Sequence, residues 1–206
     1  MKTMAEWARE IHENAVAHGW WEEDRTMGEL CALIHSELSE ALEEARAERP
    51  MLYVYDEHNG ECIENPHYFA GRKPEGIAVE LADAVIRMLD WMAYCGQEDN
   101  LDLIEEDGER FAGEYARSEQ EPEELPDFVS ELHDLVTMIH VRLGDIGKVK
   151  GRGRKKKRLT EGMAAAGAMV YLINGWLRGH GVQLKEVMEI KHEYNKTRPY
   201  RHGKAF

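Results

Sequence analysis

Four acidic side chains stand in two pairs of equal spacing. Glu37 and Glu40 are three apart in IHSELSEALEEAR, and Glu80 and Asp83 are three apart in GIAVELADAVIRMLD. Residues three apart on a helix are neighbours on one face. Two helices packed with such faces together would bring four carboxylates to one point. An all-oxygen set of this kind suits a hard divalent cation, Mg2+ or Mn2+. With about 100° per residue, Glu37 falls inside the apolar stripe of Leu30, Leu33, Ile34, Leu38 and Ala41, and Glu40 lies along its edge. Glu29, Ser36, Ser39 and Glu43 fall on the opposite, wet side. The stretch from Gly76 to Gly96 is apolar nearly all round, and one narrow polar stripe holds Glu80, Asp83, Arg87 and Asp90. Burial without a partner would push such acids neutral, and a bound cation would keep them ionised. The alternative is that the pairs cap or salt-bridge neighbouring helices. In the ligand reading, Glu37 or Glu40 is also the candidate to take a proton from an attacking water.

Other metals fit less well. Zinc wants clustered His or Cys, and none occur. A di-iron bundle wants two ExxH motifs, and the chain has one, Glu189 to His192, in a basic segment. Near the C-terminus Lys191, Asn195 and Arg198 are spaced i, i+4, i+7 and share a stripe before Pro199. Two cations and an amide on one face suit a polyphosphate. The alternative is that the cations satisfy a helix C-terminus. Arg87, one turn from Asp83, is placed to pair with the acids or to meet a phosphate. The adjacent Trp20 and Trp21 are candidates to border a base, or anchors of the core.

Helices must position these residues. The spacing predicts an amphipathic helix over 4–18. A second runs from Met27 to about Glu48, opened by a Thr26–Glu29 capping box. The third is the 76–96 stretch. Residues 49–75 are rich in breakers, with LYVY as a short strand and Asn59-Gly60 as a hairpin turn. That loop reads either as a lid or as an inert excursion. Leu101, Ile104 and Phe111 suggest one more helix, and EPEELP a connector. A second helix pair follows over 127–144 and 160–181. The run KVKGRGRKKKR between them, residues 148–158, reads as a mobile loop that could meet a nucleic-acid backbone.

The second pair reads as a degraded copy of the first. EGMAAAGAMVYLINGWLRGHG lies over EGIAVELADAVIRMLDWMAYCG with one deletion, aligning Trp176 with Trp91 and Gly181 with Gly96. Glu80 and Asp83 then meet Ala165 and Ala168, and Glu37 and Glu40 meet Leu135 and Met138.

The chain of 206 residues, 43% hydrophobic and 32% charged, is long enough for one core or two small ones. A net charge of −14 disfavours general nucleic-acid binding. No apolar run approaches the roughly 20 residues that span a bilayer, and the N-terminus lacks a signal-peptide core. Cys31, Cys62 and Cys95 are widely spaced and form no CxxC, as expected of reduced thiols in a cytoplasmic protein.

The two acid motifs and their flanks, with the tail KHEYNKTRPYRHG, resemble the MazG-like all-α nucleoside triphosphate pyrophosphohydrolases. The resemblance covers roughly residues 5–96 and 180–204. The sequence departs from the compact pattern in its longer gap between Glu40 and Glu80. The resemblance implies an all-α helical bundle and Mg2+-dependent cleavage of a (d)NTP to (d)NMP and pyrophosphate. It implies that Glu37, Glu40, Glu80 and Asp83 hold the metal, and that the segment of Lys191, Asn195 and Arg198 helps hold the nucleotide. With the internal copy, the expectation is one unit of about eight helices in two tandem four-helix-like halves. Residues 1–121 carry the metal acids and 122–206 the basic tail. Such a fused pseudo-dimer would be monomeric or pair as a homodimer. The rivals are a nucleic-acid-binding helical protein using 148–158 and a non-catalytic nucleotide-binding regulator.

Overall fold

The computed structural model describes residues 2–65, 67, 69–98, 101 and 124–200. Most of them are helical. Apart from Leu101, the helix expected near Ile104 and Phe111 lies outside the described residues, as does the 107–112 stretch. So do residues 201–204 of the tail.

Helix α1 spans Met4–Ala17 and α2 spans Met27–Arg46. Both begin in complete capping boxes. Thr26 Oγ1 accepts from the Glu29 amide at 3.2 Å, and Glu29 Oε2 accepts from the Thr26 amide at 2.7 Å. Thr3 and Glu6 repeat the arrangement on α1. Each box satisfies two backbone donors that the first helical turn leaves orphaned.

Between α2 and the next helix, strand β1 (Val54–Tyr55) pairs antiparallel with β2 (Cys62–Ile63). The hairpin closes over 56–61, with Asp56 Oδ1 accepting from the amides of His58 and Asn59. Its base is anchored. Tyr53 is fully buried, bridges to Glu75, and donates its hydroxyl to Glu44 at 2.9 Å.

Helix α3 spans Ile77–Tyr94. Its cap, Gly76, has φ 112°, and a Cβ there would lie 2.6 Å from the Pro50 carbonyl oxygen. Only glycine fits both demands. The backbone oxygen of Met51 takes the Ala78 amide at 2.9 Å and so does the work of a cap. This crossing sets where Glu80 and Asp83 emerge.

Helix α4 spans Leu125–Leu143, a short 3-10 turn covers Ile146–Lys148, and α5 spans Arg152–Gly179. The expectation of a loop through 148–158 is therefore corrected: helix begins at Arg152. Lys and Arg are good helix formers, and turns that project into solvent need no apolar stripe. The buried part of α5 carries them, and Arg158 fastens them by donating to the carbonyl of Arg142 at 3.0 Å and to that of Val141. Gly162 lets α5 approach α4, since a Cβ there would sit 2.5 Å from Leu143 Cγ. Helix α6, Leu184–Lys196, is the last of the described helices.

Helix α3 is the hub, packed against α1, α2, α5 and α6, while α2 also packs on α4 and α4 on α5. One continuous core runs through it, with Leu38, Leu81, Leu89, Met92, Leu132, Ile139, Met169 and Ile173 fully buried. Full burial of one such side chain is worth about 1.5–3 kcal/mol. No described helix is long and apolar enough to cross a membrane.

Candidate metal centre and adjoining cleft

Packing of α2 on α3 brings three acids together. Glu37, Glu40 and Glu80 each place a carboxylate oxygen within 4.8 Å of the others. Glu37 and Glu80 are only 5% and 4% exposed, whereas Glu40 is open to solvent. Burial foremost, then the neighbouring Asp83, pushes the Glu80 carboxyl up to about 9, with Glu37 and Glu40 adding to the effect and Lys191 opposing it. Burial likewise raises the Glu37 carboxyl, though Arg87 pulls the other way. Two buried acids, both displaced towards the protonated form, and an exposed third are crowded together. That donor set fits a hard divalent cation.

Each remaining acid and cation has a defined place. Arg87 donates through Nε to Glu37 Oε1 at 2.6 Å, and a second guanidinium nitrogen reaches the same oxygen. Ser36 Oγ donates to Glu40 at 3.1 Å. Asp83 stands outside the trio and meets Lys191 Nζ at 2.7 Å. Lys191 is 4% exposed. Burial alone would lower its ammonium, but Asp83, with Glu80 and Glu37, holds it above the ordinary value. Helices α3 and α6 thus meet at one ion pair.

Helix α6 is docked beside α1 by a cluster on Glu10. Lys2 lies 2.6 Å and Lys196 3.1 Å from its carboxylate. The Lys2 hydrogen bond, with Lys196 after it, holds the Glu10 carboxyl down at about 2 against the effect of burial. His192 packs edge-on to Trp7, with ring centroids 5.7 Å apart.

A cleft opens beside the acids. Asp83, Arg87, Lys191, Asn195 and Arg198 line it, together with Trp20 and an apolar wall that includes Ile11, Leu30 and Ile86. Arg198 reaches it from the turn after α6, where its amide bonds the Asn195 carbonyl. Asn195 Oδ1 is buried there and has no hydrogen-bond partner among the described residues. Trp20 lies under the Arg25 guanidinium, 5.0 Å from ring centroid to carbon. Trp21 does not line the cleft. It stacks on Tyr94 at 4.0 Å and donates Nε1 to Asp90 at 2.9 Å. None of the described residues of 49–75 lines the cleft.

Asp90 is the lining residue that sequence reasoning left out of the site. It continues the polar stripe of α3, so a signal existed. Its partners could not be read. His12 Nδ1 lies 2.7 Å away from across 78 residues of chain, and Trp21 from across 69. Burial raises the Asp90 carboxyl, while these two hydrogen bonds pull it back. Asn14 and Arg25, also in the wall, carry no sequence signal.

No family model matches the chain, and no curated protein or solved structure matches it.

Proposed function

We propose that this chain is a Mg2+-dependent nucleoside triphosphate pyrophosphohydrolase of the MazG-like kind, cleaving (d)NTP to (d)NMP and pyrophosphate. One observation carries the reading: three converging acids, two of them buried, adjoin a cleft lined by Arg87, Lys191, Arg198 and an unsatisfied amide. Glu37, Glu40 and Glu80 would hold the metal, with Asp83 at its edge in the grip of Lys191. When bound, the ion would supply Lewis-acid polarisation of phosphoryl oxygens and acidify a water. Glu37 is engaged by Arg87, so Glu40, exposed and accepting from Ser36, is the better placed to accept the proton of the attacking water. That water would attack the α-phosphorus and the α–β anhydride bond would break, with pyrophosphate leaving. Arg87, Lys191 and Arg198 neutralise the phosphates, and Trp20 with the apolar wall faces the base.

The fused two-half architecture belongs to the same proposal. Shifting α4 by 98 residues lays Asp127 on Glu29. Every position from Glu29 to Ser39 then has the burial class of its counterpart. His35 and His133, equivalent under that shift, stack at 4.9 Å with Nδ1 atoms 2.7 Å apart. A residue touching its own counterpart is what a pseudo-twofold axis requires. The second half would have lost its acids, with Ala165, Ala168 and Leu135 buried in their stead, and would contribute α6 to the first half's site. Free thiols at all three cysteines agree with a reducing, cytoplasmic setting.

The test is a panel of ribo- and deoxynucleoside triphosphates, with Mg2+ and with EDTA, scored for pyrophosphate against orthophosphate. Pyrophosphate and monophosphate in equal amounts, only with metal, support the reading. Release of orthophosphate, or no turnover of any nucleotide, refutes it.

A further inference from the structure

The corner where α4 ends and α5 begins has a charge opposite to that of the chain as a whole. The protein carries a net −14, yet eight of the eleven residues from Lys148 to Arg158 are Lys or Arg and none is acidic. This run is folded, and Arg158 ties it to the end of α4. An open groove results, walled by Arg142, Lys148, Lys150, Arg154, Lys157 and Arg158. Its two acids are already engaged. Lys148 lies 2.8 Å from Asp145, and Arg142 and Lys157 lie 3.1 and 3.8 Å from Glu161. Among the described residues, Lys150, Arg152, Arg154, Lys155 and Lys156 meet no acid, and all five are exposed. Nothing lies within 4 Å of where a Cβ would stand on Gly147 or Gly153, so the backbone itself is approachable.

We propose that this corner binds the phosphate backbone of double-stranded nucleic acid, without reading its sequence. Three features choose that occupant. The cations occupy two faces of α5, Arg154 with Lys157 and Arg158 on the groove side, and Arg152 with Lys155 and Lys156 on the other. An extended polyanion can engage both faces, whereas a small polyphosphate would engage one. Among the described residues no aromatic side chain lines the groove, so unpaired bases find no stacking platform there. Flexible Lys and Arg heads on a helix match backbone contacts that position a duplex without specifying bases. This site is separate from the acid trio and stands whether or not the chain hydrolyses nucleotides.

The test uses the full chain and a fluorescent duplex DNA of arbitrary sequence, read by polarisation, with single-stranded DNA and tripolyphosphate as comparisons. Five neutralised phosphates give a salt slope of about −4.5, or a loss of roughly 500-fold in affinity between about 50 and about 200 mM salt. Lys150→Glu with Arg154→Glu and Lys155→Glu should weaken duplex binding more than tenfold at unchanged circular dichroism and melting temperature. Lys150→Arg with Lys155→Arg should retain it. The proposal is overturned by absence of duplex binding at low salt, by undiminished binding in the charge-reversed variant, by preference for the single strand, or by displacement of the duplex by an equal charge of tripolyphosphate.

Discussion

Replacing Glu80 by Gln should stabilise the metal-free protein, and increasingly so as pH rises. In the folded chain burial and Asp83 push this carboxyl up to about 9, from an ordinary 4.5. Between those values the native protein keeps a proton that the unfolded chain releases, so stability falls as pH rises. The contribution is complete below pH 4.5 and is lost as pH climbs through about 9. One extra proton in the native state changes the folding equilibrium about tenfold per pH unit, or about 3 kcal/mol from pH 6 to pH 8. For a chain of this size that is a fall of roughly 6–12 °C in melting temperature. Glu80→Gln has no such proton to hold, so its melting temperature in EDTA should lose that slope and exceed wild type above neutrality. Adding Mg2+ should reverse the order, because the ion binds native wild type and stabilises it by mass action. Differential scanning fluorimetry from pH 5 to 8.5, with EDTA or Mg2+, measures both effects. Parallel wild-type and Glu80→Gln curves in EDTA would refute the buried, protonated Glu80.

Other consequences follow from the same contacts. Lys191→Met should cost about 3 kcal/mol in urea denaturation, because it leaves the half-buried Asp83 without its cation, and pairing it with Asp83→Asn should recover most of that loss. Gly76→Ala should destabilise by about 2 kcal/mol or more, since a Cβ meets the Pro50 carbonyl in a φ that side chains avoid. Thr26→Ala should cost about 1 kcal/mol by removing a capping box, with no change in metal-dependent stabilisation. Glu10, depressed to about 2 in the folded chain, gives stability that is present above pH 4.5 and is lost as pH falls towards 2. Hydrogen-exchange protection factors in α6, corrected for the intrinsic rate at each pH, should accordingly fall on acidification, and less so in Glu10→Gln.

Local rules made much of this legible. The Thr26–Glu29 box is a matter of four adjacent residues. Glu37 betrayed itself by standing in an apolar stripe, and Lys191 and Asn195 by their helical spacing. Tertiary choices were not legible. Four acids at ExxE and ExxD spacing leave open which of them meet, and the packing of α6 gives Asp83 to Lys191 while Glu37, Glu40 and Glu80 converge. Arg198 lies past the end of α6 and reaches the cleft from a turn, where helical spacing no longer applies. The basic run at 152–158 has no apolar period, so periodicity passed over a helix that its neighbours sustain. His12 and Trp21 reach Asp90 only through the fold.

Soaking crystals with Mn2+ and mapping its anomalous signal tests the acid centre most directly. The account predicts a peak bound by carboxylate oxygens of Glu37, Glu40 and Glu80, beside the Asp83–Lys191 pair, and its disappearance in Glu80→Gln. Peaks elsewhere, or a site that persists unchanged in that variant, would contradict it.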